Sequence, residues 1–269
     1  MPSRPQGRFS KNGIPMLEQI RHDDILELRL ARPPVNALNP EFVATLRAAV
    51  EAAPAQGARG VILSGQPGMF SAGLDLPALL QLDAPAMKSF WHDFFALCAA
   101  LARSPVPVVS AITGHSPAGG AVLALFSDYR VMASGPYKIG LNEVQVGIAV
   151  PEAIQLALRR VVGAYRAERL LVAGAMIDAD EALRVGFVDE LAEPTHVVTR
   201  SREWLAALLK LPPTAMNQTR LIARGDLAAA FADLSKLGVD EFVAGWFSAE
   251  TQTTIKALVA KLRAPKAAA

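Results

Sequence analysis

The chain is poor in cysteine and histidine, the residues that build disulfides and most metal sites. Its single cysteine, Cys98, cannot form an internal disulfide, so the chain suits a reducing compartment. Cys98 lies in an apolar helical pattern and is predicted to be a small core residue. Four histidines, His22, His92, His115 and His196, show no metal-ligand spacing, and we expect no metal.

Charge is also scarce. Only 19% of the 269 residues are charged, the net charge is +2, and lysine and arginine are scattered among acids. This distribution lacks the basic stripe that nucleic-acid binding needs. The uncharged run between Arg103 and Asp128 contains three prolines, a histidine and two adjacent glycines, which argue against a membrane span. We therefore expect a globular protein that neither binds nucleic acid nor crosses a bilayer.

Residues 1–15 contain three basic residues, no acid, and several prolines and glycines. This composition is typical of a disordered lead-in. A mitochondrial transit peptide is the alternative interpretation, but the stretch lacks an amphipathic helical pattern. We expect a cytoplasmic protein, with the mitochondrial matrix as the alternative.

The hydrophobic pattern alternates between strands and helices in the first half of the chain and is helical in the last third. Asn39 and Pro40 form an N-terminal helix signal. The pattern predicts strands over 16–21, 25–30, 60–64, 129–133, 138–140 and 187–191, and helices over 40–53, 84–102, 151–162, 165–173, 178–185, 196–210 and within 214–261. The fold class is therefore α/β, with a core over 16–200 and a helical C-terminal region over 201–269.

The stretch 103–128 reads as a buried strand, a sharp turn and a buried helix. Its Gly-His-Ser-Pro-Ala turn has the order of a hydrolase nucleophile elbow, and Asp189 and His196 follow in the chain. In such an elbow the residue after Ser116 must donate its backbone N–H, and Pro117 has none. Pro117 therefore argues against a serine hydrolase. No Gly-x-Gly-x-x-Gly or P-loop motif occurs, which removes the specific case for nucleotide binding.

Two glycine-containing turns, 65–75 and 114–120, each follow a buried strand and open into a helix. Backbone N–H groups in two such turns can stabilise one oxyanion, and each well-placed donor contributes about 10²- to 10³-fold in rate. Asp75 is predicted to cap a short helix, with a direct chemical role as the alternative. Glu143 is the candidate base, because it stands in the otherwise uncharged stretch 139–150, where desolvation would raise its pKa. A carboxylate that only neutralises a nearby cation is the alternative for Glu143.

Several motifs occur in an order that resembles the crotonase (enoyl-CoA hydratase/isomerase) superfamily, over nearly the whole chain after residue 16. They are Pro-Val-Asn-Ala-Leu at 34–38, Phe-Ser-Ala-Gly-Leu-Asp-Leu at 70–76, Gly-His-Ser-Pro-Ala-Gly-Gly at 114–120, Asp-Tyr-Arg at 128–130 and Gly-Leu-Asn-Glu at 140–143. Within the superfamily, they look most like Δ3,Δ2-enoyl-CoA isomerases of the mitochondrial type.

The resemblance implies a crotonase-like spiral of β-β-α turns, whose helical C-terminal region packs a homotrimer or a dimer of trimers. It places the two oxyanion donors at the N–H groups of Leu74 and Gly119. It also implies that an acyl-CoA thioester binds as substrate, so that no separate cofactor is needed. The substrate-binding positions it suggests are Ser71, Ala72, Gly73, Leu74, Asp75 and Asn142, with Arg32 and Lys256 as candidate phosphate partners.

Hydratases of the superfamily use two glutamates to add water. This chain has Val122 at the first position and Glu143 at the second. The resemblance therefore implies an isomerase that moves the double bond of a cis or trans 3-enoyl-CoA to trans-2-enoyl-CoA through a dienolate, in fatty-acid β-oxidation. The alternatives are another crotonase-fold acyl-CoA enzyme (hydratase, thioesterase or decarboxylase) and a catalytically silent acyl-CoA-binding protein.

Overall fold

The computed structural model describes residues 16–233 and 237–263. The predicted lead-in over 1–15 lies outside these residues. The described chain is a mixed α/β structure with a six-stranded and a four-stranded sheet. Its strands are β1 (Leu17–His22), β2 (Ile25–Leu30), β3 (Gly60–Ser64), β4 (Gly68–Met69), β5 (Val108–Ile112), β6 (Gly114–Pro117), β7 (Tyr129–Ala133), β8 (Lys138–Gly140), β9 (Ile177–Asp178) and β10 (Glu190–Ala192).

The helices agree closely with the sequence pattern where local signals are strong. The predicted helix over 84–102 is observed with the same bounds, and Asn39 caps the first helix by accepting a hydrogen bond from the Phe42 N–H at 2.9 Å. The helices are α1 (Pro40–Ala52), α2 (Leu76–Leu79), α3 (Ala84–Ala102), α4 (Gly119–Leu125), the 3₁₀ helix (Glu143–Val146), α5 (Glu152–Val162), α6 (Ala164–Ala173), α7 (Ala179–Val185), α8 (Val197–Leu208), α9 (Pro213–Ala223), α10 (Gly225–Ala229), α11 (Val239–Trp246) and α12 (Ala249–Arg263).

The predicted strand over 187–191 is confirmed only in part, because β10 begins at Glu190 and ends at Ala192. Phe187 and Val188 are apolar because they fill the core, and they lie before the strand. The sequence pattern also missed β4, β6 and β9, which are two to four residues long. Strands this short show no periodicity that a sequence can reveal.

The six-stranded sheet has the order β1-β2-β3-β5-β7-β10, with an antiparallel first pair and parallel pairs thereafter. Both of its faces are covered. Ile62 and Val109 pack towards Leu205 of α8, whereas Leu63 and Val108 pack into the main core. Burial on both faces explains why the central strands are apolar throughout rather than alternating. Cys98 is buried in the main core, as predicted.

The four-stranded sheet has the order β4-β6-β8-β9. The first three strands are mutually parallel, and β9 is antiparallel to β8. β4 and β6 approach so closely that a Cβ on Gly114 would lie 2.0 Å from the carbonyl carbon of Gly68. Only glycine fits at position 114, and this close pairing aligns the carboxyl ends of the strands.

Asp128 joins the C-terminal helices to the core. Its carboxylate accepts two hydrogen bonds from Arg220 of α9, each at 2.7 Å, and one from Arg224 at 3.0 Å. It also accepts the Val108 N–H at 2.7 Å. The Asp-Tyr-Arg motif therefore acts in part as an anchor for α9.

In the part of the chain that the structure describes, no helix has both the length and the apolar character needed to cross a bilayer.

We expect Asp128→Asn to lower the free energy of unfolding by about 3–5 kcal/mol. The substitution leaves the buried guanidinium groups of Arg220 and Arg224 without their anion. Urea unfolding measures the change. The matched control is Glu181→Gln, which breaks an exposed ion pair with Arg184 on one helix and should have little effect. An equal effect of both substitutions would show that Asp128 is not an anchor.

Candidate active site

Three segments singled out from the sequence follow the three parallel strands of the smaller sheet. The loop over 70–75 follows β4, Ala118 and Gly119 follow β6, and Glu143 comes three residues after β8. The carboxyl ends of parallel neighbours lie at the same sheet edge, which is where α/β folds bind their ligands. The structure thus brings the predicted site residues together at one edge.

Asn36 holds the loop over 70–75 in place. Its side-chain amide donates to the Phe70 carbonyl at 3.0 Å, and its own carbonyl accepts from Ser71 Oγ at 2.8 Å. Ser71 Oγ in turn accepts the Gly73 N–H at 3.2 Å. Asn36 has a φ of 52°, a left-handed conformation that asparagine tolerates better than most residues. The 34–38 motif is therefore the scaffold of this loop.

The N–H of Leu74 is free of backbone acceptors in the described chain. The backbone groups on either side of it point toward Leu38. The Gly73 carbonyl accepts a hydrogen bond from the Leu38 N–H at 2.7 Å, and the Asp75 N–H donates one to the Leu38 carbonyl at 3.0 Å. Successive backbone groups of extended chain point to opposite sides, so the Leu74 N–H points away from Leu38. This arrangement leaves it available to a ligand.

Gly119 is the first residue of α4, and the backbone N–H groups at the start of a helix have no acceptor within that helix. Ala118, just before it, has a φ of 46° and donates its own N–H to the Gly140 carbonyl at 2.8 Å. Such strained backbone is typical of ligand-binding turns. A Cβ on Gly73 would lie 3.0 Å from the Gly119 nitrogen, so the two turns touch. The Leu74 and Gly119 donors therefore stand on adjoining turns.

Glu143 is the buried carboxylate of the site. Its exposed fraction is 9%, and its Oε2 atom has no hydrogen-bond partner in the described chain. Burial raises its pKa from the usual 4.5 to about 7. No described cation pairs with it, so the alternative of a carboxylate neutralised by a neighbour is wrong. The Asn142 Oδ1 beside it is also buried without a partner.

The segment that follows Glu143 is fixed by distant parts of the chain. Gln145 donates to the Gly174 carbonyl at 2.8 Å, and Thr251 of α12 donates to the Gly147 carbonyl at 2.7 Å. Helix α12 also packs against α2, so it touches elements next to both Glu143 and the Leu74 loop. Lys256 is exposed on this helix.

Asp75 is the helix cap that the sequence predicted. Its carboxylate accepts the Ala78 N–H at 3.1 Å and pairs with Arg32 at 2.6 Å. Arg32 also donates to the Ala37 carbonyl at 2.8 Å. Arg32 and Asp75 therefore neutralise each other and hold the loop, whereas Glu143 forms no ion pair among the residues that the structure describes.

Helix α4 brings no second carboxylate to the site, because its sequence from Gly119 to Leu125 contains no ionisable residue. Val122 is buried, with an exposed fraction of 1%.

The structure does not bring together Ser116 and Asp189, two residues of the hydrolase hypothesis. Ser116 is buried in the smaller sheet, whereas Asp189 pairs with Arg130 beside the larger sheet. Among the described residues, no three His, Cys, Asp or Glu side chains are grouped as a metal site would require.

Comparison with known proteins gives consistent matches. The profile of the enoyl-CoA hydratase/isomerase family matches residues 21–264. The chain is 34% identical over 242 residues to human mitochondrial enoyl-CoA delta isomerase 1, covering 89% of this chain and 80% of that protein. It is 35% identical over 191 residues to a probable enoyl-CoA hydratase of Mycobacterium bovis, covering 70% and 72% of the two chains. The crystal structure of human mitochondrial Δ3,Δ2-enoyl-CoA isomerase superposes with a TM-score of 0.87 at 31% identity, covering 92% of this chain and 98% of that one.

We expect Glu143→Gln to stabilise the fold at alkaline pH but not at acid pH. The raised pKa means that the folded state binds the Glu143 proton more tightly than the unfolded chain does. Its contribution is complete below pH about 4.5 and is lost as the pH rises through about 7. At pH above about 8 the variant should gain about 3 kcal/mol over the wild type.

Urea unfolding at several pH values measures this gain. Glu152→Gln, at an exposed glutamate at the start of α5, is the control for the change of side chain. The same pH dependence in the wild type and Glu143→Gln would contradict the pKa assignment.

Proposed function

Because the chain belongs to the enoyl-CoA hydratase/isomerase family, we propose that it moves the double bond of a 3-enoyl-CoA, cis or trans, to give trans-2-enoyl-CoA in fatty-acid β-oxidation. One observation carries the proposal. Within the described residues, Glu143 is a buried carboxylate whose Oε2 atom has no hydrogen-bond partner, and it follows the same sheet edge as the Leu74 and Gly119 N–H groups. Helix α4 has the apolar Val122 where hydration would need a second carboxylate. A proton shuttle needs one carboxylate, and water addition in this family uses two.

The reaction begins with the thioester oxygen accepting the N–H groups of Leu74 and Gly119. Glu143 removes a proton from C2, and the electrons of that C–H bond form the C1–C2 double bond of a dienolate. The negative charge on the thioester oxygen is stabilised by the two donors, which in a site of low dielectric are worth more than in water. No group leaves and no oxidant is required.

In the second half of the reaction, the Glu143 carboxyl group returns the same proton to C4. The enolate carbonyl reforms, the C1–C2 double bond shifts to C2–C3, and the former C3–C4 double bond takes up the proton from the Glu143 carboxyl. A base with a pKa near 7 suits both steps, because it accepts and gives up a proton with comparable ease at neutral pH. In this proposal the backbone of the loop over 71–75 contacts the thioester and adenine ends of CoA, and Asn142 lies beside the acyl chain.

We expect Glu143→Gln to lower kcat for isomerisation by about 10²- to 10⁴-fold, because the amide cannot accept the C2 proton. The ultraviolet absorbance of the conjugated product measures turnover of a purified 3-enoyl-CoA. Binding of a saturated acyl-CoA, measured by calorimetry, should persist, because the donors and the loop are intact. Glu152→Gln is the matched control. Near-normal turnover by Glu143→Gln would rule out its role as base.

The same absorbance separates the alternatives. Wild-type protein mixed with a trans-2-enoyl-CoA should show little loss of absorbance, because Val122 cannot hold or activate water. Hydration faster than isomerisation would replace the proposal with a hydratase. Binding without turnover of either substrate would favour a silent acyl-CoA-binding protein.

The pH dependence of kcat/KM should follow ionisation of Glu143 in the free enzyme. The proton-accepting form is the carboxylate, so kcat/KM should rise with pH and level off above about pH 7. Initial rates between about pH 5 and pH 9 measure the profile. A flat profile across this range would contradict Glu143 as the titrating base.

The trimeric assembly and the cellular compartment of the protein remain predictions from the sequence.

A further inference from the structure

One side chain of α12 contacts the backbone at the end of the 3₁₀ helix that carries Glu143. Thr251 is buried, and its Oγ1 hydroxyl donates to the Gly147 carbonyl at 2.7 Å. Gly147 has a φ of 75°, and a Cβ there would lie 3.1 Å from both the Cα and the Oγ1 atoms of Thr251. Glycine at this position therefore lets α12 approach the segment closely enough for the hydrogen bond to form.

The peptide unit between Gly147 and Ile148 connects Thr251 to the backbone of Glu143. The carbonyl of this unit accepts the Thr251 hydroxyl, and its N–H, on Ile148, donates to the Glu143 carbonyl at 3.1 Å. A peptide unit is planar, so an orientation that is fixed at its carbonyl is also fixed at its N–H. A hydrogen bond at the carbonyl also polarises the unit and strengthens the bond that its N–H donates. Thr251 therefore acts on the Glu143 backbone through one rigid group.

Ser248 orients the Thr251 hydroxyl. The Gly147 carbonyl can only accept, so the Thr251 proton lies on that bond. Ser248 Oγ then donates to Thr251 Oγ1 at 3.0 Å, and it accepts the Thr251 N–H at 3.3 Å. The two hydroxyls and the carbonyl thus form a chain of hydrogen bonds with a single direction, in which each bond polarises the next.

The 3₁₀ helix has few hydrogen bonds of its own, because it is only four residues long. On its other side, the Gln145 side chain donates to the Gly174 carbonyl at the end of α6, at 2.8 Å. A Cβ on Gly174 would lie 2.8 Å from Val144 Cγ2, so this contact is also close. The position of the 3₁₀ helix therefore depends on contacts with α6 and α12.

The Glu143 carboxylate depends on this backbone. Its Oε2 atom has no hydrogen-bond partner among the described residues, so no described side chain holds that atom in place. A general base must lie within hydrogen-bond reach of the proton that it removes. A displacement of about 1 Å that originates far from the chemistry can lower the rate about 10²-fold.

We infer that Thr251 is a positioning residue for proton transfer by Glu143, and that it acts through the Gly147–Ile148 peptide unit. The inference rests on the proposed function for the reaction that Glu143 performs. It assigns a part in the geometry of the reaction to α12, which lies more than a hundred residues after the base in the chain.

The test removes the Thr251 hydroxyl. Thr251→Val and Thr251→Ala should lower kcat for isomerisation about 10- to 100-fold, because Glu143 moves relative to the C2 proton. KM should stay near the wild-type value, because the Leu74 and Gly119 donors lie on other segments. Thr251→Ser keeps the hydroxyl and should restore most of kcat. If the valine variant does not fold, the alanine variant carries the test, because it adds no atoms.

Thr254→Val is the matched control. Thr254 lies on the same helix, and its hydroxyl donates to the Glu250 carbonyl at 2.9 Å, one turn earlier in α12. This variant should keep the wild-type kcat. The inference is overturned if the Thr251→Val and Thr251→Ala variants turn over substrate at the wild-type rate, or if Thr251→Ser is as slow as Thr251→Ala. An equal loss in Thr254→Val would overturn it as well.

Amide hydrogen exchange tests the same connection without turnover. Loss of the Thr251 hydroxyl should speed exchange of the Ile148 N–H, whereas the amides of α3 should keep their wild-type rates. Faster exchange in a protein whose wild type has no isomerase activity would refute the proposed function and keep the connection from Thr251 to the Glu143 backbone. An active wild type, with unchanged exchange and unchanged kcat in the variants, would refute the inference and keep the proposed function.

Discussion

Parallel pairing of three very short strands, β4, β6 and β8, holds the candidate site together. Each strand has only two to four residues, yet the loop over 70–75, the Ala118–Gly119 turn and Glu143 all follow from their carboxyl ends. The pairing depends on glycine at position 114, where a Cβ would collide with the backbone of β4. A side chain there would separate the two turns that present the N–H donors.

A second constraint is that Glu143 is buried while its Oε2 atom has no hydrogen-bond partner in the part of the chain that the structure describes, and this burial lowers stability. The unpaired Oε2 atom and the raised pKa mean that the folded protein is less stable when this carboxylate is ionised. A base poised near neutral pH is what an enolisation step needs. The backbone after Glu143 is held by two long-range hydrogen bonds, from Gln145 to the Gly174 carbonyl and from Thr251 to the Gly147 carbonyl.

The C-terminal helices pack against the elements that carry the candidate site residues. Asp128 anchors α9 through two arginines, and α12 packs against both the 3₁₀ helix and α2. The C-terminal region therefore supports the elements that carry Glu143 and the Leu74 loop.

Local sequence signals determined much of the fold. Asn39 and Pro40 begin α1 because capping acts within one turn, and the bounds of α3 follow from its helical period and its flanking breakers. Local patterns were also the basis for the proposed donors, Leu74 and Gly119, and the proposed base, Glu143. Helix caps and helix bounds depend on residues close together in the chain, which is why they could be predicted.

Tertiary structure decided the rest, because it depends on contacts between distant residues. Asp75 is paired by Arg32, 43 positions away, and Thr251 reaches Gly147 across 104 positions. No periodicity marks β4 or β6, whose pairing is specified by backbone hydrogen bonds and glycine clearance. Among the described residues, the Oε2 atom of Glu143 has no hydrogen-bond partner, which is likewise a property of packing that no single stretch of sequence contains.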